Sequence, residues 1–94
     1  GGVGWMSGPA CIIPKQSIEL YETAKQGRWE DAACLQIKQW SINVAFQRFS
    51  LSACVKAGLE MQGFPVGPPM PPQKRLNPEE RKALEKILRD IGAL

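Results

Sequence analysis

The chain has 94 residues, 44% of them hydrophobic, with 12 Lys and Arg against 9 Asp and Glu for a net charge of +3. That length allows one domain with a modest core, and the apolar content excludes a disordered tail. The weak, sign-mixed charge speaks for a solvated surface and against a nucleic-acid patch.

The opening run Gly1-Gly2-Val3-Gly4-Trp5-Met6-Ser7-Gly8-Pro9 reads as a short strand over 2–6 that breaks into a glycine-rich loop. Gly2 and Gly4 let another group approach the backbone closely. Everything downstream reads as helix, so this strand has no ladder partner within the chain. Either a partner supplies the rest of the sheet, or the chain is the tail of something longer.

Pro14 suits the first turn of a helix near 15–26, where its missing N–H costs nothing. Ile18, Tyr21 and Ala24 form its apolar face, and Gly27 stops it. A second helix is predicted near 29–48, with Glu30 and Asp31 suiting the dipole of its first turn. Its apolar face is read as Trp29, Ala33, Ile37, Trp40 and Val44, widened by Ala32, Leu35 and Phe46. Phe49, Ser50 and Ser52 form a break in which either serine can cap a third helix near 52–62. That helix carries Ala53, Val55, Ala57, Leu59 and Met61 and ends at Gly63.

Residues 64–76 are too rich in proline for helix or central strand. They read as an irregular segment laid on a surface by Phe64, Val66 and Met70, with a PxxP ligand as the sharper alternative. Asn77-Pro78-Glu79-Glu80 announces a last helix near 78–91, with Asn as N-cap and Pro at the first position. Its apolar face is Leu84, Ile87, Leu88 and Ile91. Arg81–Glu85 and Glu85–Arg89 are expected as solvent-side pairs, and Gly92 closes the helix.

No apolar run approaches the ~18 residues of a membrane span, and no signal peptide opens the chain. A cytoplasmic setting without membrane contact is therefore expected. Cys11, Cys34 and Cys54 sit among small or apolar neighbours and are expected as buried free thiols. With no histidine anywhere, a zinc site or a histidine-dependent triad is not expected. The glycines do not make a phosphate loop, since Gly2-x-Gly4 needs glycine where Ser7 stands and no Lys-Ser/Thr follows. Lys56, between Val55 and Ala57, has the surroundings of a desolvated amine nucleophile. On a helix, though, it can carry its ammonium to water along an apolar stem. Trp5, Trp29 and Trp40 read as core. Residue chemistry alone assembles no complete active site.

Four segments together resemble the C-terminal end of the dihydrodipicolinate synthase / N-acetylneuraminate lyase family. Gly1-Gly2-Val3-Gly4-Trp5-Met6-Ser7 resembles the eighth strand of its (β/α)8 barrel. Ile18-Glu19-Leu20-Tyr21 with Gly27-Arg28-Trp29 and Ala32 resembles the helix pair that follows. Val55-Lys56-Ala57 with Gly63, and Pro68-Pro69-Met70-Pro71-Pro72 before a capped helix, resemble its closing segments. The run through Cys11 departs from the lysine-biosynthetic members, which tend to carry asparagine there. It is more similar to branches acting on 2-keto-3-deoxy sugar acids, such as 2-keto-3-deoxyarabinonate dehydratase.

The resemblance implies the C-terminal portion of a TIM barrel: last strand 1–7, last barrel helix about 15–26, and a helical extension about 28–94. It implies a Schiff-base lyase of pyruvate or a 2-keto acid, an oligomer, and no cofactor or metal. The family's imine-forming lysine lies on the sixth strand, and Lys56 matches a helical lysine instead, so no catalytic residue is expected in this chain. Only the strand end reaches the pocket: Met6 lines its wall, Gly2 and Gly4 keep the backbone close, and Ser7 with Gly8 borders its mouth. The contrasting expectation is an autonomous helical interaction module without catalysis.

Overall fold

The computed structural model describes all residues, 1–94. A 3-10 turn at Pro9–Cys11 leads into four helices: α1 (Pro14–Lys25), α2 (Trp29–Phe49), α3 (Leu51–Met61) and α4 (Pro78–Ile91). Each helix lies within a residue of its predicted bounds, and the signals that set those bounds are present as local contacts. Asn77 Oδ1 accepts from Glu80 N at 2.8 Å while Asn77 N donates to Glu80 Oε1 at 3.0 Å, a reciprocal cap at the start of α4. Gly92 ends α4 in the left-handed region at φ +88°. Ser50 alone joins α2 to α3. Its backbone is at φ +114°, its N donates to Phe46 O, and its Oγ accepts from Ala53 N at 3.4 Å.

The core gathers Ile12, Ile13, Ile42, Ala45, Cys54, Ala57, Leu84, Leu88 and Ile91. α2 packs against each of the other helices, and α3 packs against α4. The apolar face predicted for α4 is the one it buries, with Leu84, Leu88 and Ile91 inside and Ile87 half-buried.

α1 and α2 depart from the predicted faces. α2 turns Ala32, Gln39, Ile42 and Ala45 inward, with Leu35 and Phe46 half-buried. The stripe expected to be core points outward: Trp29 is 70% exposed, Ile37 75% and Trp40 53%, and Val44 is also exposed. The reason is that α2 carries two apolar stripes at helical spacing. The smaller residues are the ones that let neighbouring helices approach. On α1 the buried residues are Ser17 and Thr23, whose Oγ1 donates to Glu19 O at 2.7 Å, while Ile18 is exposed. A small hydroxyl that bonds its own backbone can be buried without an unpaired donor. α3 buries Ala53, Cys54, Ala57 and Gly58, leaving Val55, Leu59 and Met61 half-buried.

The strand expected over 2–6 is not formed, and residues 1–7 carry no regular structure. A strand exists only through a neighbour that pairs its N–H and C=O groups, and all other regular elements here are helical. Trp5 is exposed together with Trp29 and Trp40, so none of the tryptophans is core. Cys54 is buried, whereas Cys11 and Cys34 are exposed; all are free thiols. In the proline-rich stretch Phe64, Val66 and Met70 are exposed, and the segment is held instead through buried Pro69, half-buried Leu76 and a Gln73 side chain that accepts from Ser50 and Ser52. Glu85 pairs with Arg89 at 2.8 Å as predicted, but Arg81 reaches Glu60 at 3.3 Å rather than Glu85. No helix is long and apolar enough to cross a membrane.

Candidate functional site

The N-terminal segment lies across α1 and α2. The Trp5 ring stands 6.4 Å from that of Tyr21, a tilted aromatic pair, and Lys25 Nζ lies 5.8 Å from the Tyr21 ring centre on α1. A cleft of about 330 Å³ opens beside this segment, between Trp5, Met6 and Ser7 on one side and Ser17, Gln39 and Asn43 on the other. An open trough of about 810 Å³ runs along Gly1–Trp5 against Tyr21, Lys25 and Trp29.

Met6 and Ser7 thus share one cleft, while Gly2 and Gly4 line the other. The Met6 side chain is fully exposed. The nearest atom to a Cβ built on Gly2 is 4.0 Å away, and one on Gly4 meets nothing within 4 Å. Within this chain no group makes the close approach that those glycines permit. Ser7 has a structural partner: its Oγ accepts from Ala10 N at 3.2 Å and caps the 3-10 turn. Gly8 lies against the α2–α3 corner, where a Cβ would come within 3.1 Å of Leu51 Cδ1, the end of an exposed side chain.

Lys56 lies on α3, half-buried, and lines neither cleft. No group of three or more His, Cys, Asp or Glu is gathered to hold a metal ion. The Cys54 thiol is pushed up from 9.0 to about 11 by its burial and by the nearby Glu80 carboxylate. Its Sγ donates to Ala45 O at 3.6 Å, which fits an inert core thiol rather than a nucleophile.

Two glutamines that the sequence reading passed over organise the surroundings. Gln39 is buried on the inner face of α2 and donates to Gln16 O at 3.1 Å, tying α1 to α2 beside the cleft. Gln62, just past α3, donates to both Ile12 O and Ala93 O. Gln39 was detectable as a polar residue in the Ala32, Leu35, Ile42 stripe; Gln62 makes contacts 50 and 31 residues away, with no local signal.

The sequence model of the Dihydrodipicolinate synthetase family matches residues 1–91. The chain is 35% identical over 94 residues to an uncharacterised DapA-like lyase of Halobacterium salinarum, covering 100% of this chain and 31% of that protein. It is 32% identical over 94 residues to the 4-hydroxy-tetrahydrodipicolinate synthase of Methanocaldococcus jannaschii, covering 100% of this chain and 32% of that one. The crystal structure of a provisionally named dihydrodipicolinate synthetase from Pseudomonas aeruginosa superposes with a TM-score of 0.89 at 31% identity, over 94% of this chain and 30% of that one. The chain therefore spans less than a third of the length of these relatives and aligns along nearly all of its own.

Proposed function

Because this chain belongs to the dihydrodipicolinate synthetase family, we propose that its residues form the C-terminal portion of a Schiff-base lyase acting on pyruvate or a 2-keto acid. Residues 1–7 are the last barrel strand in this reading, α1 is the last barrel helix, and α2 to α4 form a helical extension. The observation that carries it is the family match through residues 1–91. The exposed second stripe of α2 supports it: an apolar stripe of this size belongs under a neighbouring layer, and none of the helices here covers it. The unpaired residues 1–7 support it too, since a barrel supplies neighbours to every strand.

In the complete enzyme a lysine from an upstream strand attacks the keto carbon, water leaves, and the resulting iminium accepts electron density from the adjacent carbon. A C–C bond can then form or break, or a hydroxyl can leave from the neighbouring position of a sugar acid. This chain provides one wall. Met6 packs beside the keto acid, Gly2 and Gly4 hold the backbone close to it, and Ser7 with Gly8 borders the mouth, where strand ends meet substrate in such barrels. Cys11, in place of the asparagine tendency of the lysine-biosynthetic branch, favours 2-keto-3-deoxy sugar acids over dihydrodipicolinate synthesis. The enzyme works as an oligomer. Turnover of 2-keto-3-deoxy sugar acids by the full-length enzyme, compared with condensation of pyruvate and an aldehyde, tests this reading. Absence of both activities contradicts it.

A further inference from the structure

We propose that Gln62 is a positioning residue for the keto-acid pocket, bridging the loop that follows Met6 and Ser7 to the C-terminal end of the chain. The inference rests on the placement of Met6 and Ser7 at that pocket. One nitrogen makes the bridge: Gln62 Nε2 donates to Ile12 O at 2.6 Å and to Ala93 O at 3.2 Å. A primary amide has two N–H bonds in one plane, so a single glutamine can serve two carbonyls at once. Neither an aliphatic side chain nor an ionised carboxylate can.

Both acceptors are held from their own side. Ala93 N donates to Leu88 O at 2.8 Å, and Gly92, at φ +88°, turns the chain so that the Ala93 carbonyl meets Gln62. On the other side the backbone from Ser7 to Ile13 is tied at successive steps. Ser7 Oγ accepts from Ala10 N, Cys11 N donates to Gly8 O at 3.1 Å, and Ile12 N and Ile13 N donate to Pro9 O at 3.0 and 2.8 Å. A shift of the Ile12 carbonyl is therefore passed back as far as Ser7, the residue that follows Met6. The Ile12 side chain is seated in the core, and the bridge adds a directional hold on the Ile12 carbonyl from outside the loop.

The test uses the full-length enzyme. Gln62→Met keeps the side-chain length and removes both donors; Gln62→Lys restores donors of another shape. Kinetics with the 2-keto acid that the wild type turns over, borohydride trapping with pyruvate, and thermal melting are measured on each. The expected result for Q62M is a roughly tenfold rise in KM, the effect of a loop that holds the pocket wall in place in only about a tenth of the molecules. The yield of trapped pyruvate at saturation is unchanged, melting shifts by only a few degrees, and Q62K recovers most of the KM. A wild-type KM in Q62M overturns the inference, as does a loss of activity that follows the loss of folded protein and leaves KM unchanged. If Q62M does not fold, Gln62→Glu takes its place: KM must rise at neutral pH and improve as the carboxyl is protonated, and a flat, wild-type KM overturns the inference. A wild-type enzyme that traps neither pyruvate nor a 2-keto-3-deoxy sugar acid overturns the functional reading and this inference with it, whereas an active wild type with an indifferent Q62M overturns the bridge alone.

Discussion

Gly58 of α3 lies directly beneath Ile12: a Cβ built on Gly58 comes within 3.0 Å of Ile12 Cγ2 and 3.1 Å of Cδ1. A glycine inside a helix ordinarily costs about 1 kcal/mol relative to alanine, and here it makes room for a fully buried, β-branched side chain that cannot swing away. Gly58→Ala should therefore lower stability by about 1–2 kcal/mol despite the better helix propensity. Adding Ile12→Val, which removes Cδ1, should recover part of that loss. Denaturant melts of both single variants and the double variant check the coupling, and additive effects would contradict the contact.

Ser50 holds the α2–α3 corner at φ +114° while capping α3. Alanine keeps the backbone strain and loses the cap, so Ser50→Ala should destabilise by about 1–2 kcal/mol. Glycine relieves the strain, so Ser50→Gly should cost less than alanine, the usual order at an N-cap widened here by the positive φ. Thermal melts of the two variants decide it.

Cys54 carries a pH dependence of definite sign. Its thiol titrates at about 11 in the folded chain against an ordinary 9.0, because burial and Glu80 disfavour the thiolate. A raised folded pKa contributes stability that is present below pH 9 and is lost as pH rises towards 11. The stability of the wild type minus that of Cys54→Ala should fall across this window. Urea titrations at pH 8 and pH 10.5 measure the difference; a constant difference contradicts the buried neutral thiol.

Helix bounds were legible because caps are local. Pro14, Asn77 with Glu80, and Gly92 act within a turn, so their signals are carried by neighbouring residues. The inward face of α4 was equally plain, since Leu84, Leu88 and Ile91 have no apolar rival on the other side. α2 was misread for a physical reason. The Trp29, Ile37, Trp40 stripe is the more apolar, while the Ala32, Gln39, Ile42, Ala45 stripe is the smaller and packs closer. Periodicity shows that a face is apolar, not which partner covers it. Of the candidate site, the positions of Met6 and Ser7 on one cleft follow from their adjacency. The tie from Gln62 to Ile12 spans 50 residues and leaves no mark on local sequence.

Met6 stands free in this chain, and in the complete enzyme it should touch the keto acid. Met6→Ala should then lower kcat/KM by an amount equivalent to about 1–3 kcal/mol, the worth of a wall side chain that orients a substrate. The melting temperature should hardly change, because no core contact is lost. Steady-state kinetics of the full-length variant check this, and unchanged kinetics would show that residues 1–7 are wrongly placed.

The most direct measurement is reduction with borohydride in the presence of pyruvate and, separately, of a 2-keto-3-deoxy sugar acid, followed by peptide mapping of the full-length enzyme. One covalent adduct is expected, on a lysine upstream of Gly1, and none on Lys56, which lies on α3 away from both clefts. Lys56→Ala should trap as much pyruvate as the wild type. An adduct on Lys56, or none anywhere, would contradict the assignment of these 94 residues to a Schiff-base lyase whose reacting amine lies elsewhere in the barrel.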